Sequence, residues 1–225
     1  MKTLTHWRDF FQFLKKPDYL KQTEGIKNKS ILVFNSLLLE IVLILPLLLI
    51  YGVYTYYTGN INESITENIE TLYNPFVLYA MVAIFEELSF RGFLTKFNPI
   101  LFSTSVAGIL SLYYKKIVFS NMFFEPDGLK ETAILFLVLF FLVYLIGTKY
   151  KKELTVFWNK NFGYIVYISA FIFAFAHFFN SKGLELGYLK TIIFQLIGAF
   201  IMSFVRVRAG ILYAIIIHFV WDIFL

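Results

Sequence analysis

The chain has 225 residues, of which 59% are hydrophobic and 16% are charged, and its formal net charge is +5. Soluble domains carry roughly 45–50% apolar and about 25% charged residues. The apolar excess is too large for one soluble core, so the composition argues against a soluble enzyme, a disordered chain and a nucleic-acid-binding module. Because the chain has no cysteine, disulfides, thiolate catalysis and cysteine-type zinc sites are excluded.

A basic, amphipathic segment precedes the most apolar part of the chain. Its apolar residues at helical spacing are Trp7, Phe10, Phe11 and Leu14. This spacing, with basic residues between, predicts a helix on the cytoplasmic membrane surface that ends near Pro17. The predicted division is a cytoplasmic N-terminal segment over residues 1–30 and a transmembrane bundle over residues 31–225, whose motif-bearing part covers about 75–225.

Seven apolar runs follow one another along the chain, and together they predict about seven membrane-spanning segments. The runs are Ile31–Tyr57, Pro75–Phe97, Ile100–Tyr114, Thr132–Thr148, Phe162–Phe179, Tyr188–Val205 and Gly210–Leu225. Long apolar runs without strict alternation favour helices over the strands of a transmembrane barrel. The predicted fold class is therefore all-α: a polytopic transmembrane helical bundle with an N-terminal surface helix.

The distribution of lysine and arginine predicts the orientation in the membrane. Basic residues are dense before the first predicted span, whereas the next loop, residues 60–71, has none. This asymmetry predicts a cytoplasmic N-terminus and a multi-pass protein, in the cell membrane if the source is bacterial. The Lys115–Lys116 pair lies on the opposite side and is the exception. The positive charge is thus interpreted as a signal for topology and for membrane lipids as partners, not for nucleic acid.

Ionisable side chains inside the predicted spans are functional candidates, because they are costly in lipid and face the bundle interior. They are Glu40, Glu86, Glu87, Arg91, His177, His218 and Asp222. Glu87 and Arg91 are four residues apart on one helix face and can neutralise each other. Glu86 is rotated by about 100° from Glu87 and must find its partners on other helices. Glu40 is isolated and is interpreted as structural.

Two histidines complete the candidate set. His218 and Asp222 are four residues apart, so the carboxylate can accept from one ring nitrogen and fix the imidazole tautomer. Together with Glu86 and His177, these residues support activation of a water molecule by a carboxylate and an imidazole, with an oxyanion stabilised by a second histidine. The same groups could instead bind one Zn²⁺ through His177, His218 and either Glu86 or Asp222. The short HExxH zinc signature is absent.

At these positions the sequence resembles the CAAX prenyl protease type II family, also called the CPBP or Abi family of intramembrane endopeptidases. The resemblance covers about Pro75–Leu225. The EExxxR motif is matched by Glu86, Glu87 and Arg91, the FxxxH motif by Phe173 and His177, and the final HxxxN or HxxxD motif by His218 and Asp222.

The resemblance implies an endopeptidase that cleaves a peptide or lipid-modified protein at the membrane. By this analogy Glu86 and His177 activate the water. His218 and Asp222 line the oxyanion side of the site, and Glu87 and Arg91 hold the geometry. Asp222 stands where the family more often has asparagine, so it would orient His218 or bind a metal. The cofactor stays open, with a divalent metal such as zinc on Glu86, His177 and His218 as one alternative.

The cellular role is open between several classes of protein. A peptidase of this family would perform CAAX-type processing, or bacteriocin or peptide maturation with self-immunity. The alternatives are a non-catalytic membrane immunity or scaffold protein and a proton-coupled transporter that uses the intramembrane acids and histidines as a relay.

Overall fold

The computed structural model describes residues 2–19, 22–58, 74–119, 124–178 and 185–224. Within these ranges the chain forms eight α-helices and one π-helical turn, and no strand. The helices are α1 (Lys2–Lys15), α2 (Ile26–Thr58), α3 (Pro75–Glu86), α4 (Pro99–Val118), α5 (Leu129–Lys149), α6 (Lys151–Ala176), α7 (Glu185–Ala209) and α8 (Ile211–Phe224), and the π-helical turn is Glu87–Arg91. The predicted all-α class is confirmed.

Each of the seven predicted apolar runs coincides with a helix, and the boundaries differ most at the end of the second run and at the start of α6. The run predicted over Pro75–Phe97 leaves helical structure after Arg91. A new helix then begins where Asn98 Oδ1 accepts from the backbone nitrogens of Ile100 (2.9 Å) and Leu101 (3.2 Å), an N-cap followed by proline at the first helical position. Helix α6 begins earlier than predicted, because its first turns are polar and an apolar run does not include them.

Three described helices are long and apolar enough to cross a membrane: Ile26–Thr58, Leu129–Lys149 and Leu189–Ala209. Ile211–Ile223 is apolar but shorter. In α5 only Thr132 and Gly147 are buried, and the exposed side chains of its apolar face are available to lipid. An integral membrane protein is therefore supported, whereas the predicted count of seven spans is not confirmed by this criterion.

The N-terminal helix is present as predicted, and its aromatic side chains pack into the bundle. Phe10 and Phe13 are buried, and their rings lie 5.6 and 5.5 Å from the ring of Phe204. Trp7 Nε1 donates to Asn35 O at 3.0 Å. Phe11, by contrast, is 45% exposed, so Phe13 takes the place that the spacing assigned to Phe11. The membrane-surface position and the division at residue 30 stay predictions, and the loop 60–71 lies outside the described residues.

The π-helical turn is completed by side chains from three other helices. A π turn is wider than an α turn and occurs often at functional sites. Ser105 of α4 donates to Leu88 O at 2.7 Å, and Ser169 of α6 donates to Phe90 O. The third donor is Arg206 of α7, whose Nε and Nη2 donate to the carbonyls of Arg91 (3.0 Å) and Gly92 (2.8 Å). These bonds satisfy carbonyls that would be costly if left unpaired in a membrane protein.

Close approach between α4 and the π turn requires a glycine. A Cβ at Gly108 would lie 2.8 Å from Ser89 Cβ, which is closer than two carbon atoms can pack. Ser89 is buried, so it has no open space into which to move. The absence of a side chain at Gly108 therefore sets the distance between α4 and the turn.

We expect Gly108→Ala to lower stability by about 1–3 kcal/mol, because the added methyl group overpacks this contact. The matched control is Gly52→Ala on α2, where a Cβ would meet nothing within 4 Å. Thermal unfolding in detergent should show a lower melting temperature for Gly108→Ala and an equal or higher one for Gly52→Ala. Equal melting temperatures for the two variants would contradict the packing of α4 on the turn.

A second prediction concerns the carbonyls that Arg206 binds. Arg206→Met should lower stability by about 2 kcal/mol, because hydrogen bonds from a charged group are lost and two acceptors lose their partner. Arg8→Met removes the same charge from an exposed position on α1 and is the control. Chemical unfolding in detergent measures both variants. An equal loss of stability in both variants would show that the loss comes from removing a positive charge and not from removing the hydrogen bonds to the turn.

Candidate active site

Two adjacent glutamates at the junction of α3 and the π turn have different surroundings. Glu87 is fully buried, and its Oε1 accepts from Arg91 Nη1 and from His218 Nδ1, the latter at 2.8 Å. Glu86 is partly accessible and faces both motif histidines. The predicted pairing of Glu87 with Arg91 is therefore present, and Glu86 has its partners on other helices, as the helical rotation requires.

The contact with Glu87 determines which ring nitrogen of His218 carries a proton. A carboxylate accepts, so His218 Nδ1 must donate. The other nitrogen, Nε2, lies 3.7 Å from Glu86 Oε2 and 3.6 Å from Asp222 Oδ2. The spacing along α8 predicts that Asp222 orients His218; Asp222 does lie beside Nε2, but just beyond hydrogen-bond distance. Glu87 makes the hydrogen bond because α8 packs against α3 and the π turn, a contact between helices that spacing along one helix does not reveal.

His177 lies at the end of α6, where the last turn tightens. Its backbone nitrogen donates to Ala174 O at 3.2 Å. Its ring nitrogen Nδ1 lies 3.0 Å from Phe173 O, and because a carbonyl only accepts, Nδ1 carries the hydrogen. His177 Nε2 is then left with a lone pair and lies 3.8 Å from Glu86 Oε2. Both histidines thus direct Nε2 towards the same carboxylate oxygen.

Phe173 contributes more than its carbonyl. Its ring centre lies 4.6 Å from that of His177 and 6.1 Å from that of His218. The guanidinium carbon of Arg91 lies 3.9 Å from the same ring centre, a cation–π geometry. From the sequence alone, Phe173 is a motif residue without an assigned role. Its four-residue spacing from His177, which places both on one helix face, is the signal that could have assigned it a role.

Burial divides the acidic residues into an inner and an outer group. The side chain of Glu87 is 0% exposed, whereas those of Glu86 and Asp222 are 14% and 23% exposed. Glu86 Oε2 and Asp222 Oδ2 are nevertheless buried atoms without a hydrogen-bond partner among the described residues, as is Glu87 Oε2. Such atoms are satisfied by water or by a ligand. The outer group therefore marks the accessible side of the site.

Glu40 is the remaining ionisable residue of the predicted spans. It is fully buried in α2, and neither carboxylate oxygen has a hydrogen-bond partner in the described part of the chain. Its Oε1 occupies the space that Gly198 leaves open, since a Cβ there would lie 2.9 Å away. None of the hydrogen bonds or ion pairs described above involves Glu40.

The geometry of the site also bears on the suggested zinc ligands. Two imidazoles and a carboxylate are the donors that catalytic zinc uses. The described residues, however, contain no group of three or more histidine, aspartate and glutamate side chains that could hold a metal ion. No step of the mechanism is therefore derived through a metal, and zinc on Glu86, His177 and His218 stays a prediction.

Comparison with known proteins bears on the same region. Neither the curated proteins nor the solved structures yield a match to the chain. The family model described as Type II CAAX prenyl endopeptidase Rce1-like matches residues 68–224. The match covers more than half of the chain and includes every residue of the site described above, from Glu86 to Asp222. The chain therefore belongs to the type II CAAX prenyl endopeptidase Rce1-like family, a family of proteases.

Proposed function

We propose that this protein is an intramembrane endopeptidase that hydrolyses a peptide bond with a water molecule activated by Glu86 and His177. The observation that supports this most directly is the convergence of the two Nε2 atoms on Glu86 Oε2, at 3.8 Å from His177 and 3.7 Å from His218. These separations exceed direct hydrogen bonds. They leave the oxygen available to a water molecule that also contacts an imidazole.

The proposed reaction begins with proton transfer from this water to the Glu86 carboxylate. The water oxygen then attacks the carbonyl carbon of the scissile peptide, and the carbonyl oxygen becomes an oxyanion. His177 accepts a hydrogen bond from the water at Nε2, which orients the attacking lone pair. The proton held by Glu86 then passes to the leaving nitrogen as the carbon–nitrogen bond breaks, which yields a carboxylic acid and an amine.

His218 is assigned to the oxyanion in this mechanism. Its Nδ1 donates to Glu87 at 2.8 Å, so a second proton at Nε2 produces an imidazolium that the buried carboxylate stabilises. Nε2 can then donate to the developing negative charge, as preorganised donors do in oxyanion holes. Asp222, 3.6 Å from Nε2, positions this proton, while Glu87 and Arg91 hold the geometry from the buried side.

The substrate is proposed to be a peptide or a lipid-modified protein. The matched family is described as prenyl endopeptidases, which favours CAAX-type processing; maturation of a bacteriocin or another peptide, with self-immunity, is the alternative within the same chemistry. We further propose seven spans with the N-terminus in the cytoplasm, in the cell membrane if the source is bacterial. The density of lysine before α2 supports this orientation.

We expect Glu86→Gln to lower kcat/KM by about 10³-fold or more, because the amide cannot accept the proton of the water. The substitution is nearly isosteric, so expression and melting temperature should not change. His177→Ala and His218→Ala should lose activity in the same way. Cleavage of a peptide library by purified protein in detergent or nanodiscs, followed by mass spectrometry, measures all three variants.

The control for this experiment is Glu131→Gln, which removes an exposed carboxylate at the start of α5 and should leave cleavage unchanged. Retained cleavage in Glu86→Gln would refute the role of Glu86. If cells keep the wild-type phenotype with each of the three variants, Glu86→Gln, His177→Ala and His218→Ala, a non-catalytic immunity or scaffold role replaces the proposal. Proton-coupled flux in liposomes without proteolysis would instead establish a transporter.

Metal dependence has its own test. Because the proposed activation of water by Glu86 and His177 uses no metal, we expect cleavage to persist after metal removal. The rate is measured before and after dialysis against a chelator, and metal content is measured by elemental analysis. Loss of activity that one equivalent of Zn²⁺ restores would overturn the metal-free activation of water by Glu86.

A further inference from the structure

Helix α4 contacts the last turn of α6 through two side chains that the proposed mechanism does not use. Tyr113 Oη donates to Ile172 O at 2.8 Å, and Lys116 Nζ donates to Ala176 O at 2.7 Å. The two donors are three residues apart on α4, and the two acceptors are four residues apart on α6, so each pair lies on one helix face. The result is a two-point contact along the end of α6.

The carbonyl that Lys116 binds is one of the last in α6. The final four carbonyls of a helix have no partner within it, and a lysine at this end satisfies one of them and interacts favourably with the helix dipole. His177 is the next residue, at the C-cap of α6. Fixing Ala176 O therefore fixes the peptide that leads directly into His177.

The charge of Lys116 also acts on the site itself. Lys116 interacts electrostatically with both Glu86 and His177. Lys116 is half-buried, so solvent screens this interaction less than it would at a free surface.

The position of Lys116 explains an anomaly in the sequence. The Lys115–Lys116 pair is the exception to the charge asymmetry that predicts orientation. Lys115 is fully buried and donates to Glu125 O, and Lys116 donates to Ala176 O. Both lysines are thus bound within the protein, which is a reason for their presence other than topology.

We propose that Lys116 is a positioning residue of the peptidase site, which holds His177 opposite Glu86 by binding the carbonyl that precedes it. This inference rests on the proposed function, since it concerns the same site. Lys116 acts through His177 and Glu86 and takes no part in bond making or breaking.

The first experiment observes His177 without requiring activity. The chain has three histidines, so ¹⁵N labelling of the imidazoles gives a small set of ring signals, assigned with His177→Ala and His218→Ala. In Lys116→Met we expect the ring signals of His177 to shift, while those of His6 on α1 stay in place. Lys116→Arg, which keeps a cationic donor, should preserve the wild-type signals. Lys130→Met is the control, because Lys130 is exposed at the start of α5.

The second experiment measures peptide cleavage by the same variants. Lys116→Met should lower kcat/KM by roughly 10- to 100-fold, the effect of misplacing a reacting group, with the loss in kcat and KM nearly unchanged. Lys116→Arg should restore most of the rate, and Lys130→Met should match the wild type. Lys116→Gln keeps a neutral donor and should lie between Met and Arg, which covers the case in which Lys116→Met does not fold.

The outcomes separate this inference from the proposed function. In one outcome, the wild type cleaves and Glu86→Gln does not, so the proposed function stands. If folded Lys116→Met or Lys116→Gln then keeps the wild-type His177 signals and kcat, only the positioning role of Lys116 is refuted. If the wild type does not cleave any peptide, the proposed function fails, whereas a shift of the His177 signals in Lys116→Met still establishes the contact.

Discussion

The buried ion pair between Glu87 and Arg91 is the interaction on which the rest of the site depends. Opposite charges can be buried in a membrane bundle when they neutralise each other. Glu87 also accepts from His218 Nδ1 at 2.8 Å, and Arg91 lies 3.9 Å from the ring centre of Phe173. The pair therefore connects the π turn to α8 and to α6. His218 is oriented by Glu87 directly, and His177 through Phe173, so both histidines depend on one pair of charges.

The pair lies on a widened turn that other helices must complete. Ser105, Ser169 and Arg206 come from α4, α6 and α7, and each donates to a carbonyl within the turn or just after it. Without such donors, these carbonyls would need water, which the hydrocarbon region of a bilayer does not supply. The same hydrogen bonds that satisfy the turn thus hold three helices around it. The hydrogen bonds to the turn therefore stabilise both the packing of the helices and the geometry of the site.

The sequence predicts what depends on local spacing and misses what depends on contacts between helices. All seven apolar runs were found as helices, and the spacing of Glu87 and Arg91 identified their pairing. The π turn was not predicted, because a single widened turn barely changes the apolar pattern of a helix. The four-residue spacing of His218 and Asp222 places them side by side on α8, but it does not reveal that Glu87, from another element, binds Nδ1. A hydrogen-bond partner that comes from another helix cannot be identified from the spacing of residues along one helix.

Lysines are informative about membrane orientation only where their charge remains in the aqueous loop. Lys115 and Lys116 bind carbonyls inside the protein, so their count on one side of the membrane does not oppose the asymmetry of the remaining loops. Arg206 is a similar case, since its guanidinium donates to the carbonyls of Arg91 and Gly92. A basic residue near a helix end in this protein can hydrogen-bond to carbonyls of the π turn or of the site instead of lying at the membrane surface. The orientation prediction therefore rests most securely on the N-terminal segment, where Lys27 and Lys29 are exposed or only partly buried at the start of α2.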